Sequence, residues 1–494
     1  MKYILSIDQG TTGSRAVLYD KRGRAIANAY REFPQYFPKP GWVEHDPEEI
    51  WRSVNEAVCE VLRKTPRCEI DAIGITNQRE TTVIWDRITG RPVYNAIVWQ
   101  CRRTAGRCDE IKRKKLDARL IREKTGLPVD AYFSATKIEW ILKHVPGAMA
   151  KARCGRLLFG TTDTWILWKL SGGKEHATDY TNASRTMLFN IETLKWDEDI
   201  LKEFGIPRVI LPEVKRSSGV FGYTARTGRA ASGIPISGIA GDQQAALFGQ
   251  VCFKPGDVKN TYGTGSFILL NSGKTRPKSK HGLIVTLGCG TSHEPIYVLE
   301  GAIFIAGAAI QWLRDGMRIL TSAAESEKLA RSVDDNAGVY FVPAFVGLGA
   351  PYWDQAARGG IFGITRGTTR GHIVRAGLEA MCYQTKDVLE AMRKDSGIKI
   401  RSLKVDGGAV TNNFLCQFQS DILGIDVIRP SVIESTSLGA AYLAGLAIGY
   451  WQDARDIEKF WRPDRIFVPK MPRAHARRLY EGWLGAVERT LSGT

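Results

Sequence analysis

The chain has few of the features that mark disulfide-stabilised, zinc-binding or membrane-spanning proteins. Its nine cysteines are an odd number and include no Cys-x-x-Cys pair, which argues against a disulfide framework and against a structural zinc site. The seven histidines are dispersed, and none stands in a His-Glu-x-x-His pattern. No run of about 18 apolar residues is present, so we expect no membrane insertion. The nearest run, residues 438–451, is rich in Ala and Gly, which is typical of a closely packed buried helix.

The charge distribution and the N-terminal residues argue against a nucleic-acid-binding protein and against a secreted protein. The net charge is +17, but the basic residues are scattered and no nucleic-acid motif accompanies them, so we expect no nucleic-acid partner. A positive field instead favours anionic ligands. The first residues lack the basic-then-apolar order of a signal peptide, and we expect a cytoplasmic protein.

The pattern along the chain indicates an α/β fold. With 494 residues, 44% of them hydrophobic, the chain is long enough for two large domains. Residues 3–7, 16–19 and 25–30 predict a β-meander. A helix follows, with Asp46 as N-cap, Pro47 in its first position and Glu49 completing a capping box. Residues 72–76 predict the next strand, and strands and helices alternate thereafter.

A second hairpin repeats the layout of the first. Residues 258–270 read as strand, Gly/Thr turn and strand, like residues 4–18, which suggests two related domains. The first hairpin carries an acid, Asp8, and the second does not. We place the domain boundary near residue 250, with an N-terminal domain of residues 1–250 and a C-terminal domain of residues 251–494.

Residues 8–15 have the composition of a phosphate-binding loop. The sequence has no Walker A motif and no G-x-G-x-x-G, which disfavours P-loop and Rossmann sites. Gly10 and Gly13 allow close approach of a ligand to the backbone. The members that offer hydroxyls or a cation are Thr11, Thr12, Ser14 and Arg15, and Asp8 could hold Mg²⁺. The alternative is a plain hairpin turn, which needs only one or two such residues.

Two later turns are weaker candidates for the same ligand. Residues 262–266 include Thr264 between two glycines, and could grip the phosphates from the other side. Residues 406–409 follow a strand at 403–405 and precede a helix opened by Asn412 and Asn413. Such a junction can pack against adenine or ribose, but an ordinary tight turn explains it equally well.

Two polar clusters are candidates for the acceptor site. Asp242 follows a Gly-Ile-Ala-Gly turn and starts an Ala-rich helix, where it could accept the proton of a substrate hydroxyl or serve as an N-cap. Residues 78–80, Gln-Arg-Glu, follow the strand at 72–76. They could bind the neighbouring hydroxyls of a polyol, or form a surface ion pair of little value.

Taken together, these segments resemble the FGGY family of carbohydrate kinases over residues 3–453. The residues that carry the resemblance are 8–15, 40–46, 74–80, 95–100, 178–185 and 238–244, with 132–140 and 359–379 matching the two family signatures. Many long motifs in the right order are far more specific than one Gly-rich loop. The Gln-Arg-Glu stretch resembles the members that phosphorylate glycerol rather than larger sugars.

The resemblance implies two actin-like (ribonuclease H-like) ATPase domains flanking an interdomain cleft, with glycerol and Mg-ATP bound on opposite domains. It implies transfer of the γ-phosphoryl of ATP to a terminal hydroxyl of glycerol, with Asp242 as base. The implied glycerol contacts are Arg79, Glu80, Tyr132, Asp242, Gln243 and Phe267. The implied nucleotide contacts are Thr11, Thr12, Gly13, Ser14, Arg15, Thr264, Gly307, Gln311, Gly408, Ala409 and Asn412. Asp8 and Asp242 would position Mg²⁺, largely through water.

Some expectations are less closely tied to these motifs. We expect a homodimer or homotetramer. Residues 224–233 lack the Gly-Gly-Lys-Gly-Gly-Thr-Arg pattern with which some bacterial members bind an inhibitory sugar bisphosphate, so the resemblance does not extend to that effector. Gly13 stands where Ser or Thr is often found. Three alternatives remain: a kinase of another small polyol or sugar, an actin-like or chaperone-like ATPase, and a basic nucleic-acid-binding protein.

Overall fold

The chain folds into two compact α/β units in a computed structural model. The structure describes residues 2–225, 232–292 and 294–493, without the side chain of residue 115. Unit 1 comprises Met1–Val251, Thr286–Ile296 and Ser435–Phe460. Unit 2 comprises Cys252–Val285, Tyr297–Glu434 and Trp461–Thr494. The long first segment of unit 1 thus ends beside the predicted division at residue 250, but two later segments return to unit 1, unlike the two continuous halves that we predicted.

Strands and helices alternate along most of the described chain, as expected for an α/β fold. The strands are β1 (Lys2–Gln9), β2 (Gly13–Tyr19), β3 (Ala25–Glu32), β4 (Glu44–His45), β5 (Glu69–Asn77), β6 (Val83–Asp86), β7 (Ala96–Ile97), β8 (Leu157–Gly160), β9 (Ala177–Asp179), β10 (Phe189–Asn190), β11 (Lys195–Trp196), β12 (Glu213–Lys215), β13 (Ser218–Tyr223), β14 (Pro235–Gly241), β15 (Val258–Tyr262), β16 (Ser266–Gly273), β17 (Ile284–Gly288), β18 (Ile296–Ile303), β19 (Tyr340–Val342), β20 (Gly360–Phe362), β21 (Ser402–Asp406), β22 (Asp426–Pro430) and β23 (Pro463–Phe467).

The helices vary from one turn to more than seven turns. They are α1 (Pro47–Lys64), α2 (Ala105–Arg113), α3 (Lys115–Thr125), α4 (Ser134–His144), α5 (Ala148–Arg153), α6 (Thr162–Leu170), α7 (Tyr180–Ala183), α8 (Glu198–Phe204), α9 (Asp242–Gly249), α10 (Gly307–Asp315), α11 (Glu325–Arg331), α12 (Arg370–Ser396), α13 (Asn413–Leu423), α14 (Ser435–Ala447), α15 (Ala454–Glu458) and α16 (Arg473–Glu488). Short 3₁₀ turns span Arg208–Ile210 and Gly408–Thr411.

The start of α1 follows the sequence signals, with one difference. Asp46 is the N-cap, its carboxylate accepts a hydrogen bond from the backbone N–H of Glu48 at 2.8 Å, and Pro47 is the first helical residue. The predicted role of Glu49 in a capping box is wrong, because its carboxylate accepts a hydrogen bond from the Tyr36 hydroxyl at 3.0 Å. The Tyr36 hydroxyl has therefore replaced the backbone N–H of Asp46 as the partner of Glu49.

The sheet of unit 1 brings several strand ends to one edge. Its strand order is β13-β14-β5-β1-β2-β3. The predicted meander β1-β2-β3 is antiparallel, while β5 runs parallel to both β1 and β14. In this register Asp8 lies beside Thr76, which in turn lies beside Ala240. Residues that follow β1, β5 and β14 are consequently neighbours at the carboxyl edge of the sheet.

Unit 2 repeats this strand arrangement. Its main sheet contains the order β18-β16-β15-β21-β22-β23. The hairpin β15-β16 and its neighbour β18 are antiparallel, β15, β21 and β22 are parallel, and β23 is antiparallel at the edge. The same directions occur in unit 1 for β1-β2, β3, β5, β14 and β13. This correspondence supports the two related domains that the repeated hairpin suggested.

Helix α14 explains why residues 435–460 belong to unit 1. Most of its residues are buried, and the hydroxyl of Ser6 in β1 donates to its Ser437 carbonyl at 2.7 Å. Gly74 and Gly238 face the backbone of α14, where a Cβ atom on either glycine would collide. The Ala/Gly-rich sequence thus produces the closely packed buried helix that we predicted, but it packs on the sheet of the first unit.

The described residues also bear on membrane-spanning helices and on disulfide bonds. No helix in residues 2–225, 232–292 or 294–493 combines the length and apolarity needed to cross a bilayer. All nine cysteines lie within these ranges and are free thiols.

Candidate active site

The carboxyl edge of the unit 1 sheet collects the acidic and basic residues singled out in the sequence. Asp8 lies near the end of β1, Arg79 and Glu80 follow β5, and Asp242 begins α9 directly after β14. Because β1, β5 and β14 are parallel neighbours, their ends meet at this edge. The fold therefore brings together residues that are more than 230 positions apart in the chain.

Arg79 and Asp242 form an ion pair at this edge. Arg79 Nε lies 3.0 Å from Asp242 Oδ1, and Arg79 Nη1 donates to Gln244 Oε1 at 3.2 Å. The side chain of Arg79 is 2% exposed, whereas that of Asp242 is 30% exposed. Since Arg79 and Glu80 are both buried, a plain surface ion pair is excluded for residues 79 and 80. The accessible group of the pair is the carboxylate.

The alternative role for Asp242 as an N-cap is also excluded. Gly241 occupies the N-cap position of α9, and Asp242 is the first helical residue. Its Oδ1 accepts a hydrogen bond from the backbone N–H of Gln243 at 2.7 Å, and its Oδ2 accepts one from Gln243 Nε2 at 3.1 Å. A carboxylate has about four acceptor positions. The arrangement therefore fixes the orientation of Asp242 and leaves acceptor capacity for a hydroxyl proton.

Glu80 is held by an arginine to which the sequence analysis assigned no role. Arg185 Nε donates to Glu80 Oε1 at 2.5 Å, and both side chains are at most 1% exposed. The Arg185 guanidinium also lies over the rings of Tyr132 and Phe133, at 5.4 and 5.3 Å from their centroids. Arg185 thus joins Glu80 to Tyr132, two of the predicted glycerol contacts. Its place in the motif at 178–185 was the only signal in the sequence.

Trp99 connects Tyr132 with the predicted phosphate loop. Its ring packs edge-on against Tyr132, with 5.6 Å between the centroids. Its Nε1–H donates to Thr11 Oγ1 at 3.0 Å. Within unit 1, the half-buried Tyr132 and the loop at residues 8–15 consequently share one aromatic wall.

The loop at residues 8–15 forms the tight turn expected for it. The N–H of Gly10 donates to the Gly13 carbonyl at 2.9 Å, and Thr12 is exposed at the tip. A Cβ atom at Gly13 would lie 2.6 Å from the Arg31 carbonyl oxygen, which accounts for glycine at this position. The Ser14 hydroxyl is buried and hydrogen-bonded to Ser53 at 2.8 Å. A phosphate contact by Ser14 would therefore have to come from its backbone.

A buried polar network supports the same edge from beneath. The Thr181 hydroxyl donates to Asp179 at 2.7 Å and accepts a hydrogen bond from the Gly241 N–H at 2.8 Å. Asn182 and Asn77 exchange two amide hydrogen bonds of 3.0 Å. Burial raises the pKa of Asp179 above its ordinary value, while hydrogen bonds from its neighbours oppose that rise. The motif at 178–185 thus positions the residues that precede Arg79 and Asp242.

In unit 2, the second hairpin is joined to the start of α10. The N–H groups of Gly307 and Ala308 donate to the carbonyls of Gly263 and Thr264 at 3.0 and 3.1 Å. Thr264 is exposed, and Gln311 is exposed one helical turn after Gly307. The predicted nucleotide residues Thr264, Gly307 and Gln311 therefore occupy one region of unit 2.

The turn after β21 lies beside the same hairpin. Asp406 pairs in register with Thr261, and a Cβ atom at Gly407 would collide with the Tyr262 carbonyl oxygen. Gly407 also has a φ of 88°, which disfavours any other residue. Gly408 is exposed, Ala409 is half-buried, and the Asn412 side chain caps α13 by accepting from the Leu415 N–H at 3.0 Å. The predicted helix start at Asn412 is confirmed.

The geometry within each unit does not test two of the predictions, the glycerol contact of Phe267 and the effector loop. Phe267 is half-buried in β16 of unit 2, opposite Thr261, and its contact with glycerol stays a prediction. Part of the loop at 224–233, namely residues 226–231, lies outside the described residues. The prediction about the effector loop falls there.

The donor set at the unit 1 edge suits a hard cation with few protein ligands. The described ranges contain no group of three or more His, Cys, Asp and Glu side chains that could hold a metal by themselves. Asp8 and Asp242 nevertheless supply two carboxylates at one sheet edge. Mg²⁺ commonly keeps several waters and takes one or two carboxylates together with substrate phosphates. The residues present fit that mode of binding.

Known proteins match the chain over nearly its whole length. The model of the FGGY family of carbohydrate kinases, N-terminal domain, matches residues 3–249, and that of the C-terminal domain matches residues 258–448. Glycerol kinase 2 of Thermotoga maritima is 60% identical over 494 residues, which is 99% of each chain. The glycerol kinase of Alkaliphilus metalliredigens is 58% identical, over 99% of this chain and 98% of its own.

Solved structures show the same fold. The glycerol kinase of Plasmodium falciparum with ADP superposes with a TM-score of 0.93 at 39% identity, covering 99% of this chain and 98% of its own. A gluconate kinase from Lactobacillus acidophilus has a TM-score of 0.89 at 23% identity, with the same coverage, and supports the fold alone. The predicted two-domain α/β kinase fold is confirmed. The chain belongs to the FGGY family of carbohydrate kinases.

Proposed function

We propose that this chain phosphorylates glycerol, transferring the γ-phosphoryl group of ATP to a terminal hydroxyl to give glycerol 3-phosphate and ADP. The relatives at 58–60% identity over the whole chain are named as glycerol kinases, and the matching structure contains ADP. The observation that carries the proposal is the Arg79–Asp242 pair, in which a buried guanidinium orients a partly exposed carboxylate.

Asp242 is the general base in this proposal. A glycerol oxygen forms the new P–O bond, the bond between the γ-phosphorus and the β,γ-bridging oxygen breaks, and the hydroxyl proton passes to the Asp242 carboxylate. The transition state of phosphoryl transfer is loose, so positioning matters more than the strength of the base. The hydrogen bonds from Arg79 and Gln243 provide that positioning.

Acceptor binding uses the remaining polar groups of the unit 1 edge. Arg79, Glu80 and Gln243 would bind glycerol hydroxyls, and Tyr132 would close one side. Phe267 would lie against the carbon backbone. A site built to hydrogen-bond hydroxyl groups rejects acceptors that lack them, because its buried polar groups are then left unsatisfied.

Nucleotide binding is assigned to both hairpins. Thr11, Thr12, Gly13, Ser14 and Arg15 would contact the phosphates from unit 1, and Thr264 would contact them from unit 2. The nucleoside pocket would be lined by Gly307, Gln311, Gly408, Ala409 and Asn412. The exposed Gly408 leaves room for close approach of a flat base to the backbone.

Asp8 and Asp242 would hold Mg²⁺, largely through water. When bound, the ion neutralises charge on the transferred phosphoryl group. A cytoplasmic location and a homodimer or homotetramer stay predictions.

The direct test is ATP consumption with and without an acceptor. The purified chain is assayed for ADP formation with glycerol, dihydroxyacetone, erythritol, xylulose or no polyol. We expect ADP formation that depends on glycerol and yields glycerol 3-phosphate. A higher kcat/KM for another polyol would assign that polyol as the acceptor, and equal ATP hydrolysis without any polyol would indicate an ATPase.

A further inference from the structure

A buried lysine bridges the two segments that carry predicted glycerol contacts. Lys137 lies on α4 and is fully buried. Its Nζ donates to the backbone carbonyl of Tyr132 at 2.7 Å and to that of Glu80 at 3.4 Å. Lys137 lies within the family signature at residues 132–140, but the resemblance implies no role for it. One ammonium group thus joins the backbone of the two segments.

The backbone at Glu80 has a conformation that must be held in place. Its φ is 62°, in the left-handed region, which is unfavourable for a residue other than glycine. The Glu80 carbonyl also accepts hydrogen bonds from the hydroxyls of Ser134 at 3.0 Å and Thr82 at 3.1 Å. The Arg185 guanidinium holds the other end of the residue, the carboxylate. Strain of this kind persists where the surroundings over-determine the conformation, which is common at functional sites.

Packing does not explain a lysine at position 137. Burial disfavours a charged ammonium and lowers the pKa of Lys137 to about 8, with the negative charge of Glu80 opposing the shift. An apolar side chain of similar volume would fill the same space without that desolvation cost. The two carbonyl hydrogen bonds are the interactions that such a replacement would lose.

We propose that Lys137 is a positioning residue that fixes the spacing between Glu80 and Tyr132 and thereby sets the affinity for the acceptor alcohol. The proposal rests on the proposed function, in which those two residues bind glycerol. Lys137 contacts backbone carbonyls rather than substrate and takes no part in the proton transfer. Its loss should therefore affect the acceptor and not the nucleotide.

The test is a comparison of two variants with the wild-type chain. Lys137→Met removes both hydrogen bonds at nearly constant volume, and Lys137→Gln keeps one polar donor in case methionine prevents folding. We expect the KM for glycerol to rise about tenfold in Lys137→Met, the scale of one lost hydrogen bond to a charged group, and by less in Lys137→Gln, which keeps a donor. The KM for ATP should stay within about twofold of the wild-type value, because no nucleotide contact is changed. Melting temperatures are measured in parallel.

Lys386→Met is the control. Lys386 is a half-buried lysine on α12 of unit 2, and its Nζ donates to the backbone carbonyl of Ile422 at 2.9 Å, away from the predicted glycerol contacts. A glycerol KM that rises for the Lys137 variants and not for the control supports the proposal. Unchanged glycerol KM, an equal rise in both KM values, or loss of the fold in both Lys137 variants overturns it and leaves Lys137 a structural residue. If the wild-type chain consumes no ATP with glycerol, the proposed function itself fails.

Discussion

At the carboxyl end of β5, unit 1 carries Arg79 and Glu80, whereas the corresponding strand of unit 2, β21, is followed by Gly407 and Gly408. Both strands are the parallel neighbours of a hairpin that begins the sheet pattern of their unit. At the first edge, Arg79 and Glu80 are buried charged side chains, each paired with an opposite charge. The second edge is shaped by its backbone. A Cβ atom at Gly407 would collide with the Tyr262 carbonyl, whereas one at Gly408 would meet no atom within 4 Å.

This difference corresponds to two ways of recognising a ligand. Small polyols present only hydroxyl groups, which are distinguished by donors and acceptors at fixed positions. A nucleotide presents phosphates and a flat base, for which backbone N–H groups and close approach suffice. In the proposed function, one strand arrangement would therefore serve two ligands through different residues after two equivalent strands. Three substitutions test this comparison, and a fourth tests a buried acid of unit 2; they follow in order of their expected effect on catalysis.

Asp242→Asn should have the largest effect. We expect turnover to fall by about 100-fold or more, the scale of lost general base catalysis, while glycerol binding stays mostly intact. Steady-state kinetics with glycerol and ATP measure both. Near-normal turnover would remove Asp242 from the role of base.

Arg79→Ala should act mainly on the acceptor. It removes the partner of Asp242 and a buried donor, and we expect the KM for glycerol to rise by about 10- to 100-fold with little change in the KM for ATP. Arg119→Ala is the control, since Arg119 is 77% exposed and pairs with Glu123 along α3. An effect confined to ATP would place Arg79 in the nucleotide site.

Gly407→Ala should damage unit 2 through its backbone. The φ of 88° and the contact with the Tyr262 carbonyl both oppose a Cβ atom, so we expect a loss of about 1–3 kcal/mol in the free energy of unfolding and a higher KM for ATP. Gly408→Ala is the neighbouring control, because its Cβ would meet no atom within 4 Å. We expect its free energy of unfolding to change by less than about 0.5 kcal/mol. Denaturant unfolding measures the free energy of unfolding of both variants. Equal losses of this free energy in the two variants would contradict the steric argument.

Asp387→Asn should leave kcat unchanged but alter the dependence of stability on pH. Burial raises the pKa of Asp387 to about 7, although hydrogen bonds from Tyr480 and Trp483 oppose the rise. Because the folded state binds this proton more tightly than the unfolded state does, the stability that Asp387 contributes is present below pH 4 and is lost as the pH rises through 7.

The asparagine variant lacks that titration. From pH 4 to pH 8, we expect the stability of the wild-type chain to fall relative to that of the variant, by at least about 1 kcal/mol. Thermal or urea unfolding at both pH values measures the difference. A difference between the two proteins that is the same at pH 4 and pH 8 would show that Asp387 does not titrate in this range.

The sequence alone determined the elements whose signals are local. The meander at residues 3–30, the Asp46 cap, the turn at 8–15, the second hairpin and the helix start at Asn412 follow from neighbouring residues, because turn and cap chemistry acts over a few positions. The same signals singled out Asp242 and residues 78–80, although they left open whether these residues were functional or merely capped a helix and paired at the surface.

Tertiary structure decided between those alternatives and added what local patterns do not contain. The Arg185–Glu80 pair joins residues 105 positions apart, and Lys137 contacts Glu80 across 57 positions. The return of α14 to unit 1 rests on contacts between β1 and residue 437. Such contacts depend on which strands become neighbours in the sheet, and no short segment of the sequence records that. The sequence therefore identified the residues whose side chains could bind a ligand or react. The register of β1, β5 and β14 determined which of these residues lie together.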